Sequence, residues 1–409
     1  MPSKCLLILL DGLGDRACDA LAGLTPLQAA ATPTLDRIAI QGANGLYHAG
    51  RLGQALPSEN AHFAIFGYDL ADFPGRGPLE ALGAGIDLAP NEVAILAHLV
   101  SVAHDQGRLR LVQDVPKASP EEISELAEMI HSFSRRSVQV TFHHTHSVFG
   151  ILTLKGEVSP WITDTNPMRD GRLLSEPLPL VSHATDPFTQ ATARVLKDYL
   201  LFCHATLGPH SLNTGRARTN LPPINGLVTQ RAGRLRSPQS FTERNGLRGL
   251  CMASGLVYCG LSRYLGLEYL RVTDRGDAGA DMAERLILAR KALATHDFVH
   301  LHTKVPDEAA HRKDPLLKRR VIEALEKDDA QAARSALPNE HNLNRMQLEF
   351  RRSHVQRMTE GLCTPESGLI FIDLVDNVEK VGDHLTNIAQ AVIGGLQWDG
   401  IELKVSLPR

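Results

Sequence analysis

The chain has 409 residues, of which 43% are hydrophobic and 22% charged, a composition typical of soluble globular proteins with two or three domains. Its net charge of -3 argues against non-specific nucleic-acid binding, and no apolar run reaches the roughly 18 residues that a membrane helix needs. Six cysteines without a CxxC pair predict a reduced, cytoplasmic protein with neither a disulfide framework nor a zinc knuckle.

The first predicted element is an apolar run at residues 6–10 that ends at Asp11 and Gly12. The run predicts a buried central strand of a parallel sheet, and because it is short and stops at an acid it does not resemble a signal peptide. Sites in open α/β sheets lie at the carboxyl ends of strands, which makes Asp11 a candidate metal ligand. The alternative role for Asp11 is an ordinary helix N-cap.

Two helical segments follow this strand. Residues 25–40 predict a helix that is interrupted at Pro33. Ser58 stands just before a short apolar helix that stops at Gly67. A serine in this place is either a plain N-cap or a nucleophile, because the positive end of a helix stabilises both an alkoxide and a bound phosphate.

A change of pattern near residue 92 predicts a separate α+β lobe inserted into the α/β core. A glycine-rich stretch with Arg76 precedes it, at residues 75–85. The lobe is expected to contain antiparallel strands and one amphipathic helix, at residues 93–102, 138–142, 148–154 and 120–133.

The chain is predicted to return to the core with a helix at residues 186–202 and a basic polar loop at 213–220, which carries Arg216 and Arg218. Strands and helices then alternate up to residue 302. Such alternation is typical of a mostly parallel sheet with helices on both faces. The predicted elements are 226–229, 249–253, 256–265, 269–272, 281–294 and 298–302.

The last predicted strand of the core is followed by Asp307 and His311, four residues apart. On a helix this spacing places a carboxylate and an imidazole on one face, which is half of a metal site. A surface ion pair is the alternative interpretation of the same two residues.

The tail predicts two long helices, at residues 343–362 and 368–393. The second carries an acidic face with Asp376, Glu379 and Asp383, which is either a second metal site or a solvated face paired with basic side chains. The predicted division of the chain is a discontinuous core at 1–91 and 182–328, an inserted cap at 92–181 and a helical segment at 338–395.

Three stretches together resemble the archaeal-type 2,3-bisphosphoglycerate-independent phosphoglycerate mutases, a family of alkaline-phosphatase-like metalloenzymes. These stretches are residues 9–15, residues 58–69 with their Gly-Tyr-Asp end, and residues 297–311. The resemblance extends over about residues 4–325. It implies that Ser58 accepts a phosphoryl group from 3-phosphoglycerate and returns it to give 2-phosphoglycerate.

The resemblance also implies a two-metal site and a set of substrate-binding arginines. The metal would be Mn²⁺ or Mg²⁺, or else Zn²⁺, held by Asp11, Ser58, Asp307 and His311. The substrate is a small phosphorylated metabolite, and bidentate binding of phosphate and carboxylate calls for guanidinium groups. The candidates are Arg76, Arg216, Arg218 and Arg231, each of which can equally be a solvated surface arginine.

The sequence departs from the family pattern at several positions. Glu59 stands where the family usually has aspartate, and Leu96 where it usually has arginine. The family's later Asp-His pair and final histidine have no counterpart, because the pattern ends near Glu326. Under-coordinated metals would impair the chemistry, since a serine without a metal or a base is a poor nucleophile.

The tail resembles part of a PhoU-type helical module over about residues 340–395, with the Glu379-x-x-x-Asp383 pair of its metal-binding repeat. This resemblance implies contact with a protein partner or a second copy through the C-terminal helices. It also suggests the rival hypothesis of a non-catalytic regulatory protein that binds phosphate or a phosphorylated metabolite. A third hypothesis is that Asp383 and His384 replace the missing Asp-His pair.

Overall fold

The computed structural model of the chain describes residues 4–51, 54, 56–275 and 277–326. They belong to two compact units. Unit 1 contains Leu46–Arg271 and His296–Phe298, and unit 2 contains Lys4–Gly45, Val272–Thr295 and the described residues from Val299 onward. The predicted boundaries after residues 91 and 181 both fall inside unit 1 and stay predictions. The two predicted tail helices, with Asp376, Glu379 and Asp383, lie outside the described residues.

The described strands, in chain order, are β1 (Cys5–Leu10), β2 (Val93–Asp105), β3 (Arg108–Gln113), β4 (Ser132–Arg135), β5 (Val138–His146), β6 (Phe149–Lys155), β7 (Gly226–Gly233), β8 (Gly249–Ala253), β9 (Glu268–Arg271) and β10 (Phe298–Thr303).

The described α-helices are α1 (Pro26–Ala29), α2 (Pro33–Gln41), α3 (Ser58–Ile65), α4 (Arg76–Gly83), α5 (Pro120–Met129), α6 (Pro187–Leu207), α7 (Ser211–Arg218), α8 (Phe241–Asn245), α9 (Leu256–Leu265), α10 (Ala278–Ala292), α11 (Val305–His311) and α12 (Pro315–Glu326). Short 3-10 turns occupy Asp19–Leu21, Leu70–Asp72 and Val181–His183. None of the helices in these described ranges is both long and apolar enough to cross a membrane.

Unit 1 contains an antiparallel sheet in the order β3-β2-β6-β5-β4, and β7 also pairs with β2. This confirms the predicted antiparallel strands of the lobe. Both faces of β2 are buried, because Ile95 and Leu99 pack into a core with α5 and α6, while Ala94 and Leu96 pack against Ala81 of α4. Leu96, at the position where an arginine was expected from the resemblance, is therefore an apolar packing residue.

Two local predictions in unit 1 were wrong. The alternating pattern places β7 in the parallel sheet, whereas β7 pairs antiparallel with β2. Residues 213–220 were predicted as a loop, whereas α7 extends over Ser211–Arg218. The composition of α7 is polar, but its inward face is built from Asn213 and Arg216, which are buried and hydrogen-bonded, so a pattern based on apolar residues misses it.

The α/β part of unit 1 matches its prediction closely. β8 and β9 pair in parallel and are connected through α9. α9 packs tightly on α4, since a Cβ added to Gly260 would lie 1.6 Å from the Leu79 carbonyl oxygen. Apolar strands joined by helices confirm the predicted α/β class.

In unit 2, β1 lies next to β10, which belongs to this unit from Val299 onward. β10 is buried throughout, but Leu6 and Ile8 of β1 are 37% and 42% exposed. The prediction of a fully buried β1 is therefore wrong for the described part of the chain. The physical reason is that, among these residues, β10 is the sole strand paired with β1, so its other edge is not covered by a strand.

Candidate functional site

The carboxyl ends of β1 and β10 lie together in unit 2. The amide of Asp11 donates a hydrogen bond to the Thr303 carbonyl at 3.1 Å. The Asp11 carboxylate lies 3.4 Å from Nε2 of His302, whose side chain is fully buried. A carboxylate and an imidazole therefore meet at the end of the two strands, where α/β proteins commonly place their ligands.

Asp307 is brought to the same place by the first turn of α11. Gly12 has a φ of +72°, and a Cβ at this position would lie 2.3 Å from the Cα of Asp307, so a larger residue cannot be accommodated. The Asp307 carboxylate lies 3.4 Å from Nε2 of His311, whose side chain is 81% exposed. Three of the predicted metal ligands, Asp11, Asp307 and His311, thus belong to one small region of unit 2.

The donor types of this region fit a divalent metal in kind, because carboxylate oxygen and imidazole nitrogen are ligands of Mn²⁺ and Zn²⁺. The number of donors is small. Within residues 4–326, the masked positions aside, no three His, Cys, Asp or Glu side chains are grouped closely enough to hold an ion. The geometry consists of two carboxylate–imidazole pairs, Asp11 with His302 and Asp307 with His311.

A buried ionic cluster is hydrogen-bonded to the last two residues of β10. The Arg285 guanidinium donates to both carboxylate oxygens of Asp281, at 2.6 and 2.8 Å, and to the His302 carbonyl at 2.8 Å. Thr303 Oγ1 donates to Asp281 as well, at 3.2 Å. Arg285 and Asp281 are each 1% exposed, so this bidentate pair is shielded from solvent and salt.

In the neighbouring turn, burial raises the pKa of the Glu308 carboxyl, and the negative charge of Asp274 raises it further. The nearby charges of Lys304 and Arg312 lower this pKa, but they do not outweigh burial.

Ser58 is the first residue of α3 in unit 1 and is half-buried. Its carbonyl accepts a hydrogen bond from Nδ1 of His62 at 2.7 Å. His62 is 1% exposed, and its ring lies 4.7 Å from the Tyr258 ring, centroid to centroid. The first turn of α3 is thereby fixed, with the Ser58 side chain at the positive end of the helix.

Glu59 and Arg76 form the polar surroundings of this helix. The Arg76 guanidinium donates to Glu80 at 2.7 Å and lies 3.8 Å from Oε2 of the buried Glu59. Burial lowers the pKa of Arg76, but the charge of Glu80 and then of Glu59 outweighs burial and raises it overall. Oε1 of Glu59 has no hydrogen-bond partner among the described residues, so this carboxylate retains an unused acceptor.

The other candidate arginines differ in environment. Arg216 is buried, and its guanidinium donates to Glu122 at 3.0 Å and to the carbonyls of Lys117 and Pro222 at 2.8 and 2.9 Å. These bonds hold α7 in place and leave little of the guanidinium for a ligand. Arg218 and Arg231 are exposed, and Arg231 has a positive φ of 60° with its amide bonded to Asp164 at 2.8 Å.

Sequence reasoning missed His302 and His62. His302 stands at the end of an apolar strand beside another histidine, a signal that was available but ambiguous, because buried histidines are often structural. His62 lies four residues after Ser58, a spacing that places both on one face of α3.

Comparison with protein families gives two matches along the chain. Residues 39–213 match the model described as 2,3-bisphosphoglycerate-independent phosphoglycerate mutase. Residues 318–392 match the PhoU domain. The second match overlaps the predicted PhoU-like segment and begins inside α12.

Curated proteins and solved structures agree with the first match. A 2,3-bisphosphoglycerate-independent phosphoglycerate mutase of Methanocaldococcus jannaschii is 35% identical over 331 residues, covering 79% of this chain and 75% of the relative. The Methanopyrus kandleri protein of that name is 33% identical over 332 residues, covering 80% of this chain and 78% of the relative. The cofactor-independent phosphoglycerate mutase of Thermoplasma acidophilum superimposes with a TM-score of 0.55 at 30% identity, covering 79% and 82%. The structure of a Pyrococcus horikoshii protein superimposes with a TM-score of 0.63 at 27% identity, covering 80% of this chain and 77% of that protein.

Proposed function

We propose that this chain, which belongs to the family of 2,3-bisphosphoglycerate-independent phosphoglycerate mutases, interconverts 3- and 2-phosphoglycerate through a phosphoserine at Ser58. The observation that carries the proposal is the identity of 35% to a relative of that name over 79% of the chain, together with the family match over residues 39–213, which include Ser58.

The local structure of Ser58 supports its role as the nucleophile. Ser58 is half-buried at the first position of an eight-residue helix, where the helix dipole favours an alkoxide and an approaching phosphate. His62 fixes the backbone of this turn through the Ser58 carbonyl. A nucleophile held in this way loses little conformational freedom when it reacts.

The proposed reaction consists of two transfers. Ser58 Oγ forms a bond to phosphorus while the bond between phosphorus and the C3 oxygen of the substrate breaks, and the serine proton ends on that oxygen. The C2 hydroxyl of the bound glycerate then attacks the phosphorus of the phosphoserine, the bond between phosphorus and Ser58 Oγ breaks, and the hydroxyl proton ends on that Oγ. The product is 2-phosphoglycerate. Atoms and charge balance without any co-reactant, as an isomerisation requires.

The proposal includes a divalent metal, Mn²⁺ or Mg²⁺, or else Zn²⁺, held by Asp11, Ser58, Asp307 and His311. When bound, such an ion lowers the pKa of a coordinated hydroxyl and neutralises charge on phosphoryl oxygens. His302 would orient the Asp11 carboxylate, since its Nε2 lies 3.4 Å from that carboxylate.

We assign binding of the substrate's phosphate and carboxylate groups to the arginines whose N–H donors are not all used within the protein. Arg231 is exposed, and Arg76 is partly exposed next to Glu59 of α3. We leave Arg216 out of the proposal because its donors are committed to α5 and to two carbonyls. Arg218 is also exposed and is the third candidate for binding these groups.

The decisive assay mixes the full chain with 3-phosphoglycerate and Mn²⁺ and follows 2-phosphoglycerate by ³¹P NMR. Wild-type protein is expected to form product, and Ser58→Ala is expected to abolish it, a loss of at least about 10³-fold for a missing nucleophile. Ser211→Ala is the matched control, since Ser211 is also the first residue of an eight-residue helix in unit 1 and is exposed.

Product formation by Ser58→Ala at the wild-type rate would refute the nucleophile assignment. Absence of turnover with Mn²⁺, Mg²⁺ and Zn²⁺ alike would refute the catalytic proposal. Calorimetric binding of phosphoglycerate without turnover would then point to the regulatory alternative.

A further inference from the structure

Lys318 is a buried cation outside the residues discussed so far. It lies in the first turn of α12 and is 1% exposed. Its Nζ donates to the Gly14 carbonyl at 2.8 Å and to the Asp15 carboxylate at 2.7 Å. Both acceptors belong to the loop that leaves β1 directly after Asp11.

The surroundings of Lys318 explain why this contact is rigid. A buried ammonium is stable only when it is paired and hydrogen-bonded, so the loop must stay where Gly14 and Asp15 can accept these bonds. The hydrogen bond from Lys318 lowers the pKa of the Asp15 carboxyl, which keeps the partner charged. The Asp314 side chain accepts from the amides of Leu316 and Leu317, both at 3.0 Å, and fixes the start of the helix that carries the lysine.

The loop is fixed at its other end by β10 and α11. The Asp11 amide bonds to Thr303, and Gly12 lies against the backbone of Asp307. Between these contacts and Lys318, residues 11–15 are held at both ends. A shift of this loop would move the Asp11 carboxylate relative to His302 and Asp307.

We propose that Lys318 is a positioning residue that sets the place of Asp11 through the Gly14 and Asp15 contacts, and so controls cation binding at the end of β1 and β10. This inference rests on the proposed function for the identity of the bound cation. It goes beyond that function by assigning control of the loop to α12.

α12 also overlaps the range that matches the PhoU domain. Lys318 is also the first residue of the PhoU match, which continues to residue 392. The helix that carries Lys318 is therefore also where the PhoU match begins. A change that displaces α12 would move Lys318 and disturb its contacts with Gly14 and Asp15.

The test uses the full chain with Lys318→Met, which keeps the length of the side chain and removes its donors. Hydrogen–deuterium exchange of the peptide containing residues 11–16 and calorimetric Mn²⁺ binding are measured, together with thermal unfolding. We expect the amides of this loop to exchange at least tenfold faster and Mn²⁺ affinity to fall at least tenfold, with exchange in β2 unchanged. Lys197→Met, which removes an exposed ion pair with Glu176, is the control and should alter neither measurement.

A second variant covers the case in which Lys318→Met does not fold. Asp15→Asn keeps the lysine and weakens one contact at a side chain that is 39% exposed, and it should give a smaller change in the same direction. Wild-type loop exchange and Mn²⁺ affinity in either folded variant would overturn the inference. If wild-type protein binds no Mn²⁺, the metal part of the proposed function fails, and the exchange rates alone decide whether Lys318 holds the loop.

Discussion

The environments of Arg216 and Arg231 show how residues of one type take different roles. Both were candidates because a guanidinium can bind phosphate or carboxylate with two hydrogen bonds. The Arg216 side chain is 4% exposed and pairs with Glu122, whereas Arg231 is exposed on β7. Burial and partners, which depend on the fold, therefore separate a structural arginine from one that is available to a substrate.

Replacing Arg216 should lower stability, whereas replacing Arg231 should raise KM. Arg216→Met leaves Glu122 and two carbonyls without their donor and should lower the free energy of unfolding by roughly 3 kcal/mol, as expected for a broken buried pair. Arg231→Met should leave stability nearly unchanged and raise KM for 3-phosphoglycerate about tenfold, the effect of one lost charge-assisted hydrogen bond. Urea unfolding and steady-state kinetics measure the two effects. The assignment fails if Arg216→Met is as stable as wild type, or if Arg231→Met leaves KM unchanged.

At the scale of elements, β1 differs most from its expectation. Its apolar run predicts a strand covered on both faces, yet Leu6 and Ile8 are more than a third exposed in the described part of the chain. An apolar strand with an open edge is a place where another segment or another chain can pair. The neighbouring β10 contains two histidines and a threonine and is nevertheless fully buried.

Substitution by threonine compares these two strands directly. Val299→Thr places a hydroxyl at a position that is 0% exposed and should cost about 2 kcal/mol of unfolding free energy. Ile8→Thr, at 42% exposure, should cost less than about 1 kcal/mol. Chemical denaturation of the full chain measures both. An equal or larger cost at Ile8 would show that β1 is covered in solution.

Local patterns predicted elements well where apolar residues carry the signal. β8 and α9 begin and end where the sequence places them, because an apolar run of five and a helical repeat of ten are unambiguous. α7 was missed since its buried face is Asn213 and Arg216. The approach of Gly12 to Asp307 agrees with the expectation that the carboxyl ends of the two strands lie together. The contacts of His302 with Asp11 and of Lys318 with Gly14 were not predicted, because buried polar partners leave no periodic signal in the sequence.

At the scale of the whole molecule, the chain joins two recognisable parts. The range that matches the mutases extends over 79% of the chain, and the match to PhoU begins at residue 318. The PhoU match begins in α12, so the helix that holds the Asp11 loop is also part of the second match.

The central claim is that Ser58 carries the phosphoryl group during turnover. The most direct measurement incubates the full chain with 3-phosphoglycerate and Mn²⁺, stops the reaction and maps phosphorylation by peptide mass spectrometry. Phosphoserine at Ser58 that is present with substrate and absent without it is the predicted result. Formation of 2-phosphoglycerate while Ser58 stays unmodified and another residue carries the phosphate would contradict the account.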